Sequence, residues 1–256
     1  AMMDPFLHRL IQVSKVFSEQ RERGEPVQNT QCVVIRVDFM IHQPTHSLKL
    51  VEYNTVATGF VFMGGQTAAL HSYVLDKYGD ELPLNYDMRC KRTHSSALLD
   101  DPEMCKLPFH KDSSAQFDAF VEQFAEAIRL YKLSVPEAEH TNPWVLFVSD
   151  PNERNICDQK AIEMALQRRF RISSMRRTLD EIRAEGELNP VSKRLRVAGH
   201  EIGFVYFRTG YAKEHYMEED SGVWDEEKWM ARETLECSMA IKCPSIDYHL
   251  AGFKKF

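Results

Sequence analysis

Lys49 to Val61 reads K-L-V-E-Y-N-T-V-A-T-G-F-V, and the sense of this stretch governs the rest of the chain. As a strand, its side chains alternate with period two, so Leu48, Leu50, Glu52 and Asn54 share one face. Two apolar anchors are then followed by a carboxylate and a carboxamide at the strand end. Oxygen donors at i and i+2 suit a hard cation such as Mg²⁺, which takes one or two protein ligands and leaves the rest of its shell to phosphate and water. A strand end that simply meets water has the same look, and spacing alone does not separate the two.

Working upstream, Cys32–Ile41 is rich in β-branched residues, and Gln43-Pro44-Thr45-His46 makes the turn into Leu48–Tyr53. Strands joined this closely are antiparallel. Asp4 caps a helix with Pro5 at its first position, and Phe6, Leu10, Val13 and Phe17 recur at helical spacing. Arg21–Thr30, with Gly24 and Pro26, is a connector.

Downstream, Gly64-Gly65 precede a helical stretch, Gln66–Lys77, either to cradle phosphate or merely to let the chain turn. Tyr78–Lys111 is irregular and reads as a long loop or insertion. Phe117–Leu130 returns to helix. The apolar run Trp144–Val148 fits a strand buried on both faces. A helix (Ile156–Arg168), a strand (Phe170–Met175) and a helix (Thr178–Ala184) follow, the last with a capping box in Thr178-Leu179-Asp180-Glu181 and Gly186 at its end. Leu195–Val197 and Ile202–Phe207 flank a hairpin turn at Ala198-Gly199-His200, and Asp225–Ile241 is helical until Pro244. This βαβα alternation predicts an α/β layer with a mostly parallel sheet.

A chain of 256 residues has room for one or two domains and an ample core. Its net charge of −6 argues against a general nucleic-acid binder. The basic run Arg168, Arg169, Arg171, Arg176, Arg177 faces solvent or complements a helix dipole. Cys32, Cys90, Cys105, Cys157, Cys237 and Cys243 include no C-x-x-C pair and no zinc spacing. The expectation is a cytoplasmic protein with reduced thiols, no signal peptide and no membrane span. Ala1, ahead of Met2-Met3, reads as a cloning remnant.

Candidate binding residues gather near strand ends: Arg36 on the first strand, Glu52 and Asn54 on the second, Glu153-Arg154-Asn155 after Trp144–Val148, and Arg208 after Ile202–Phe207. In open α/β sheets ligands lie beyond the carboxyl ends of the strands. Charged residues also end strands because strand ends meet water.

Five segments occur in a telling order: I-R-V-D-F-M (Ile35–Met40), V-E-Y-N-T (Val51–Thr55), N-E-R-N-I-C-D-Q-K-A-I-E (Asn152–Glu163), V-Y-F-R-T-G-Y (Val205–Tyr211) and L-A-G-F-K-K (Leu250–Lys255). On these motifs, spread through almost the whole chain, it resembles the middle portion of a eukaryotic-type glutathione synthetase, an ATP-grasp ligase. The resemblance implies a mostly parallel, three-layer α/β substrate-binding domain over residues 116–250. It implies part of an antiparallel α+β catalytic domain over 1–115, and the start of a further ATP-grasp portion over 251–256.

By the same resemblance, Arg36 contacts γ-glutamylcysteine, a task that suits the bidentate fork of arginine, and with Glu52 it is the expected catalytic pair. Glu52 and Asn54 bind Mg²⁺, and Glu52 also lies next to ATP. Glu153, Arg154, Asn155 and Gln159 contact the peptide, as do Arg208, Thr209, Gly210 and Tyr211 and the loop Ala57, Thr58, Gly59 and Phe60. Lys254 contacts ATP. The implied reaction joins γ-glutamylcysteine to glycine through an acyl phosphate, giving glutathione, ADP and phosphate, in a homodimer.

Three departures stand against it. The family's Ser-Ala-Ser type loop is Ala57-Thr58-Gly59, and its R-D-G-Y turn is Arg208-Thr209-Gly210-Tyr211. The sequence stops at Phe256, where the family continues with further lysines, a glycine-rich loop and a third acidic magnesium ligand. A peptide-binding module without ligase activity, or a ligase using another acceptor than glycine, are the alternatives these departures leave open.

Overall fold

In the computed structural model of the chain, residues 4–78, 113–136, 141–218 and 221–253 are described; the expected loop after Tyr78 and Lys254 fall outside them. The chain divides into two compact units, residues 1–59 with 123–256, and residues 60–122.

The first unit is built on β3 (Trp144–Val148), whose last four residues are fully buried as their unbroken apolar run requires. It runs parallel to β4 (Ser174–Arg177) on one side and β7 (His200–Phe207) on the other. Beyond β7 lie β6 (Leu195–Val197) and β5 (Gly186–Leu188), both antiparallel to their neighbours, and β8 (Ile241–Cys243), which pairs parallel with the later half of β7. The fold is α/β with a mixed six-stranded sheet.

Helices cover both faces. Phe204 and Tyr206 alternate with Val205 and Phe207 along β7, so successive residues serve opposite layers. On one face Phe124 of α3 (Ser113–Ser134) packs on Phe147, Phe204 and Tyr206. Gly203 allows this closeness: a Cβ there would stand 2.9 Å from Pro143 Cβ and 3.0 Å from both Ile128 Cδ1 and Tyr131 Cδ1. On the other face Leu146, Val148, Val205 and Phe207 share a core with α1 (Pro5–Glu22) and α6 (Glu226–Cys237). α1 enters it through Phe6, Leu10 and Val13, and the Asp4 carboxylate caps the helix by accepting from the N–H groups of Phe6 and Leu7. Trp229 of α6 stacks on Tyr216, centroids 3.9 Å apart. α5 (Leu179–Glu185) carries the expected capping box between Thr178 and Glu181.

Several expectations are corrected. The helix from Asp225 stops at Cys237 rather than Ile241, because the buried Lys242 ammonium donates to the carbonyls of Glu236 and Ser238 (both 2.9 Å) and takes over the end of α6. That frees Ile241–Cys243 to become β8, and α7 (Ile246–Ala251) follows. The helix from Ile156 is α-helical (α4) to Ala165 and continues as a π-helical turn, Leu166–Phe170. Arg171, at φ +58, reverses the chain, so β4 begins only at Ser174. Gly64 and Gly65 lie inside α2 (Val61–Tyr78) rather than ahead of it, which removes the phosphate-cradle reading.

The first unit also carries a hairpin. β1 (Arg36–His42) and β2 (Ser47–Asn54) are antiparallel, as expected, and pair Arg36 with Asn54 and Asp38 with Glu52. A register shift then sets Phe39 opposite Leu50, leaving Val51 as the extra residue of a bulge. Because Phe39 and Asp38 face opposite ways, Leu50 lies across the sheet from Glu52. The expected shared face of Leu48, Leu50, Glu52 and Asn54 is therefore broken, and Leu48 and Leu50 are exposed rather than anchored.

The second unit, described by itself, holds α2 and the first turns of α3, with Phe62 edge-on to Phe117. Among the described residues no helix is long and apolar enough to cross a membrane.

Candidate functional site

β7 ends at Phe207, and the next side chain, Arg208, is 7% exposed. A guanidinium keeps its charge when buried, so it must find partners. Nη1 donates to the carbonyls of Ala57 (2.9 Å) and Thr58 (2.8 Å), and Nη2 lies 3.7 Å from Glu153 Oε2. The Tyr206 hydroxyl donates to the same Thr58 carbonyl at 2.6 Å. Thr58 Oγ1 donates to the Val34 carbonyl at 3.3 Å, tying this segment to the approach to β1.

Glu153 is itself held in place. Gln159 Nε2 donates to its Oε2 at 2.9 Å, and the backbone N–H of Asn155 donates to its Oε1 at 2.7 Å. The start of α4 at Ile156 produces this geometry: Asn155 is the residue before the helix, and Gln159 faces inward on the first turn, fully buried. Glu153, Asn155, Gln159, Arg208 and the Ala57–Gly59 segment thus come together as one polar cluster. Arg154 is exposed and stands outside these contacts.

Several buried atoms of the cluster lack a hydrogen-bond partner within the protein: Asn155 Nδ2, Gln159 Oε1, Arg208 Nε and Thr209 Oγ1. Buried polar groups are nearly always paired, and an orphan costs about 1–3 kcal/mol. Two of these four atoms are donors, one is an acceptor and the Thr209 hydroxyl can be either, so they suit a ligand that offers both functions.

Gly59 explains its own departure from a serine. A Cβ there would stand 2.9 Å from both Nη atoms of Arg208 and 3.0 Å from Asn155 Nδ2. Glycine is placed by closeness to these side chains, not by its backbone angle. Ala57 beside it sits at φ +51, in the left-handed region that costs an alanine energy. Phe60, at φ +71 and exposed, opens the second unit and is described apart from the cluster.

After Arg208, Gly210 turns at φ +87, which suits glycine, and a Cβ there would meet the Tyr216 hydroxyl at 2.7 Å. The Gly210 and Ala212 N–H groups point at His215 Nδ1, and Tyr211 lies edge-on to the His215 ring, half-exposed.

The hairpin forms a second cluster. Arg36 donates through Nε and Nη2 to both carboxylate oxygens of Asp38, at 2.8 and 2.9 Å. Asn54 Nδ2 donates to Asp38 Oδ2 (3.0 Å) and Glu52 Oε1 (3.1 Å). The Arg36 hydrogen bonds hold the Asp38 carboxyl below its usual range, and the pairing raises Arg36. Glu52 and Asn54 are together, as their spacing predicts. Asp38 was not singled out, although it stands inside the I-R-V-D-F-M segment; its position opposite Glu52 depends on the pairing of two strands. Tyr206 was missed for the same reason, since its partner is the remote Thr58.

For Mg²⁺ the donor set fits. Glu52 and Asp38 would offer carboxylate oxygens, and Asn54, whose Nδ2 now faces both of them, would offer its carbonyl oxygen once its amide turned, the hard ligands this ion takes. Among the described residues no group of three or more His, Cys, Asp or Glu could hold a metal ion alone, so the ion would draw most of its shell from elsewhere.

Residues 143–251 match the eukaryotic glutathione synthase family. The chain is 31% identical over 254 residues to the chloroplastic glutathione synthetase of Solanum lycopersicum, covering 98% of this chain and 39% of that protein. It is 34% identical over 223 residues to the glutathione synthetase of Macaca fascicularis, covering 86% and 38%. This chain is a relative of the eukaryotic glutathione synthetases. It spans about two fifths of the length of these curated relatives. The solved structure of a glutathione synthetase-like effector from Globodera pallida, in its apo form, shares the fold with a TM-score of 0.61 at 16% identity, over 96% of this chain and 48% of that one. The Arg208 cluster's Glu153, Asn155 and Gln159 all fall within the span that matches the glutathione synthase family; the hairpin lies ahead of it.

Proposed function

We propose that this chain is the peptide-binding part of a glutathione synthetase, an ATP- and Mg²⁺-dependent ligase. In the proposed reaction γ-glutamylcysteine, glycine and ATP give glutathione, ADP and phosphate, with an acyl phosphate on the cysteinyl carboxylate before the glycine amine attacks. The observation that carries the reading is the set of orphaned buried atoms beside Arg208. Asn155 Nδ2 and Arg208 Nε need acceptors, and Gln159 Oε1 needs a donor. γ-Glutamylcysteine offers carboxylates and an ammonium group on one small frame. Arg208 and Glu153 would orient these by charge, and the narrow space under Gly59 would exclude water.

Glu52 and Asn54 would hold Mg²⁺ next to ATP, with Asp38 beside them. When bound, the ion neutralises phosphate charge. Arg36, fixed by Asp38, would then meet the peptide's carboxylate only by exchanging one anionic partner for another. Residues 1–115 would thus serve metal and nucleotide, 116–250 the peptide, and 251–256, with Lys254 on ATP, would lead into the nucleotide-binding portion. A homodimer in the cytoplasm belongs to the same proposal.

Calorimetric titration with γ-glutamylcysteine tests the reading. The expected result is saturable binding that Arg208→Ala removes. Equal binding by both proteins, or none by the native chain, would overturn it.

A further inference from the structure

The Arg208–Tyr211 turn is built around a histidine that sequence reasoning did not single out. His215 lies in a short 3-10 turn, Lys213–Tyr216. Its Nδ1 faces the backbone N–H of Gly210 at 3.1 Å and that of Ala212 at 3.3 Å. Both groups are donors, so Nδ1 must be the acceptor, and the ring proton belongs on Nε2. The backbone N–H of His215 in turn donates to the Ala212 carbonyl at 3.2 Å, closing the loop on itself. The Tyr211 ring stands edge-on to the imidazole, centroids 4.6 Å apart at 78°. The turn therefore wraps its own backbone around one ring nitrogen.

We propose that His215 is a positioning residue for peptide binding: the neutral ring fixes the turn that presents Arg208 to Tyr211, and protonation at Nδ1 releases it. This rests on the reading that the peptide binds at Arg208. A protonated Nδ1 is itself a donor, so it repels both N–H groups it had received and leaves them without an acceptor.

The surroundings keep the ring neutral. Burial lowers the His215 pKa from its ordinary 6.5, while Asp150, just past the end of β3, and Glu214, on the ring's own turn, oppose this in part. The phenol of Tyr211 is the other titratable group against the ring. The contribution of His215 is complete above pH 6.5 and is lost as pH falls through its lowered pKa.

The decisive variants are His215→Gln and His215→Ala. A glutamine oxygen can accept the same N–H groups and does not titrate; alanine offers nothing. Two readouts are needed, from about pH 7.5 down to the pH at which NMR shows the native His215 ring protonated. One is amide exchange protection of Gly210 and Ala212, measured by NMR without ligand and corrected for intrinsic rates. The other is the calorimetric affinity for γ-glutamylcysteine.

The native chain is expected to lose protection at both amides and about tenfold in peptide affinity over this range, the size of two weakened hydrogen bonds. His215→Gln should hold both nearly constant, and His215→Ala should lack protection at every pH. Any other group that titrates in this window does so in the glutamine variant too. Identical pH profiles for native and glutamine proteins would overturn the proposal, as would native protection in His215→Ala. Absence of peptide binding at every pH would overturn the peptide role alone, because the hold on the turn is read from the amides.

Discussion

β7 and the β1–β2 hairpin both deliver an arginine to a candidate site, and they hold it by opposite means. From Glu201 to Phe207 β7 is buried throughout, and Arg208 just beyond it is fixed by backbone carbonyls and a closed polar cluster. The hairpin is exposed along most of both strands, and Arg36 is fixed by one bidentate pair with Asp38. In the buried cluster the geometry proposed for binding is preorganised by the same contacts that stabilise the fold. In the hairpin it rests on mutual charge, which water and salt screen. Changes at the first should damage stability and binding together, and changes at the second should separate them.

The sharpest way to break this contrast is Arg208→Ala. It strips charged donors from the Ala57 and Thr58 carbonyls and leaves Glu153 half-buried without its cation. The expected cost is about 3 kcal/mol, since hydrogen bonds from charged groups are worth about 1.5–3 kcal/mol and an unpaired buried charge adds to that. Denaturant unfolding at neutral pH reads it directly. A loss as small as that of a surface arginine would mean that the cluster is not preorganised by burial.

Gly59→Val tests the same region from the loop side. The added side chain must push the Arg208 guanidinium and the Asn155 amide apart. About 1–3 kcal/mol of stability should go, within the range of overpacked sites, together with peptide affinity. A variant that binds peptide normally would show that the closeness under Gly59 is incidental.

Acidity separates the regions more finely. Burial, with the Arg232 charge adding to it, sets the His249 pKa well below its ordinary 6.5. The unfolded chain therefore binds the proton first, and stability falls as pH drops below 6.5, by about 1 kcal/mol over the first pH unit from this one group. The hairpin behaves differently. Asp38 is lowered from 3.8, so its pairing with Arg36 persists until pH falls through that lowered value. Unfolding midpoints at about pH 7, 5.5 and 4.5 should decline, while the Arg36–Asp38 pair, followed by carboxyl NMR, stays ionised throughout.

What the sequence made legible follows the reach of each interaction. The α1 stripe, the capping box at Thr178 and Glu181, and the β3 run are local, and each appears where its residues predict. The bulge at Val51 arises from cross-strand register, and β8 from a lysine reaching back to α6. Neither leaves a mark in a window of a few residues. The site divides likewise. Glu52 and Asn54 are close in sequence and legible as a pair from their spacing, whereas Glu153 and Gln159 were brought together only by the family resemblance. Asp38, Tyr206 and His215 act through backbone or strand partners that only folding supplies. The Arg208 turn was recognised as a motif, but the buried atoms left unpaired beside it were not visible.

The smallest expected change in stability is the most telling for the hairpin. Glu52→Gln keeps the shape of the side chain and lets Asn54 retain a hydrogen-bonding neighbour, so the unfolding midpoint should hardly move. A carboxylate lost from a hard-oxygen set nevertheless weakens a divalent cation strongly, because charge dominates such sites. Titration with Mn²⁺ as a paramagnetic substitute for Mg²⁺, in the presence of ATP, should show relaxation enhancement in the native protein and little in Glu52→Gln. γ-Glutamylcysteine affinity at the Arg208 cluster should be unchanged. Loss of stability in this variant would make the hairpin a structural element like β7. An unaltered Mn²⁺ response would remove Glu52 from the metal site and leave Asp38 as the carboxylate to examine.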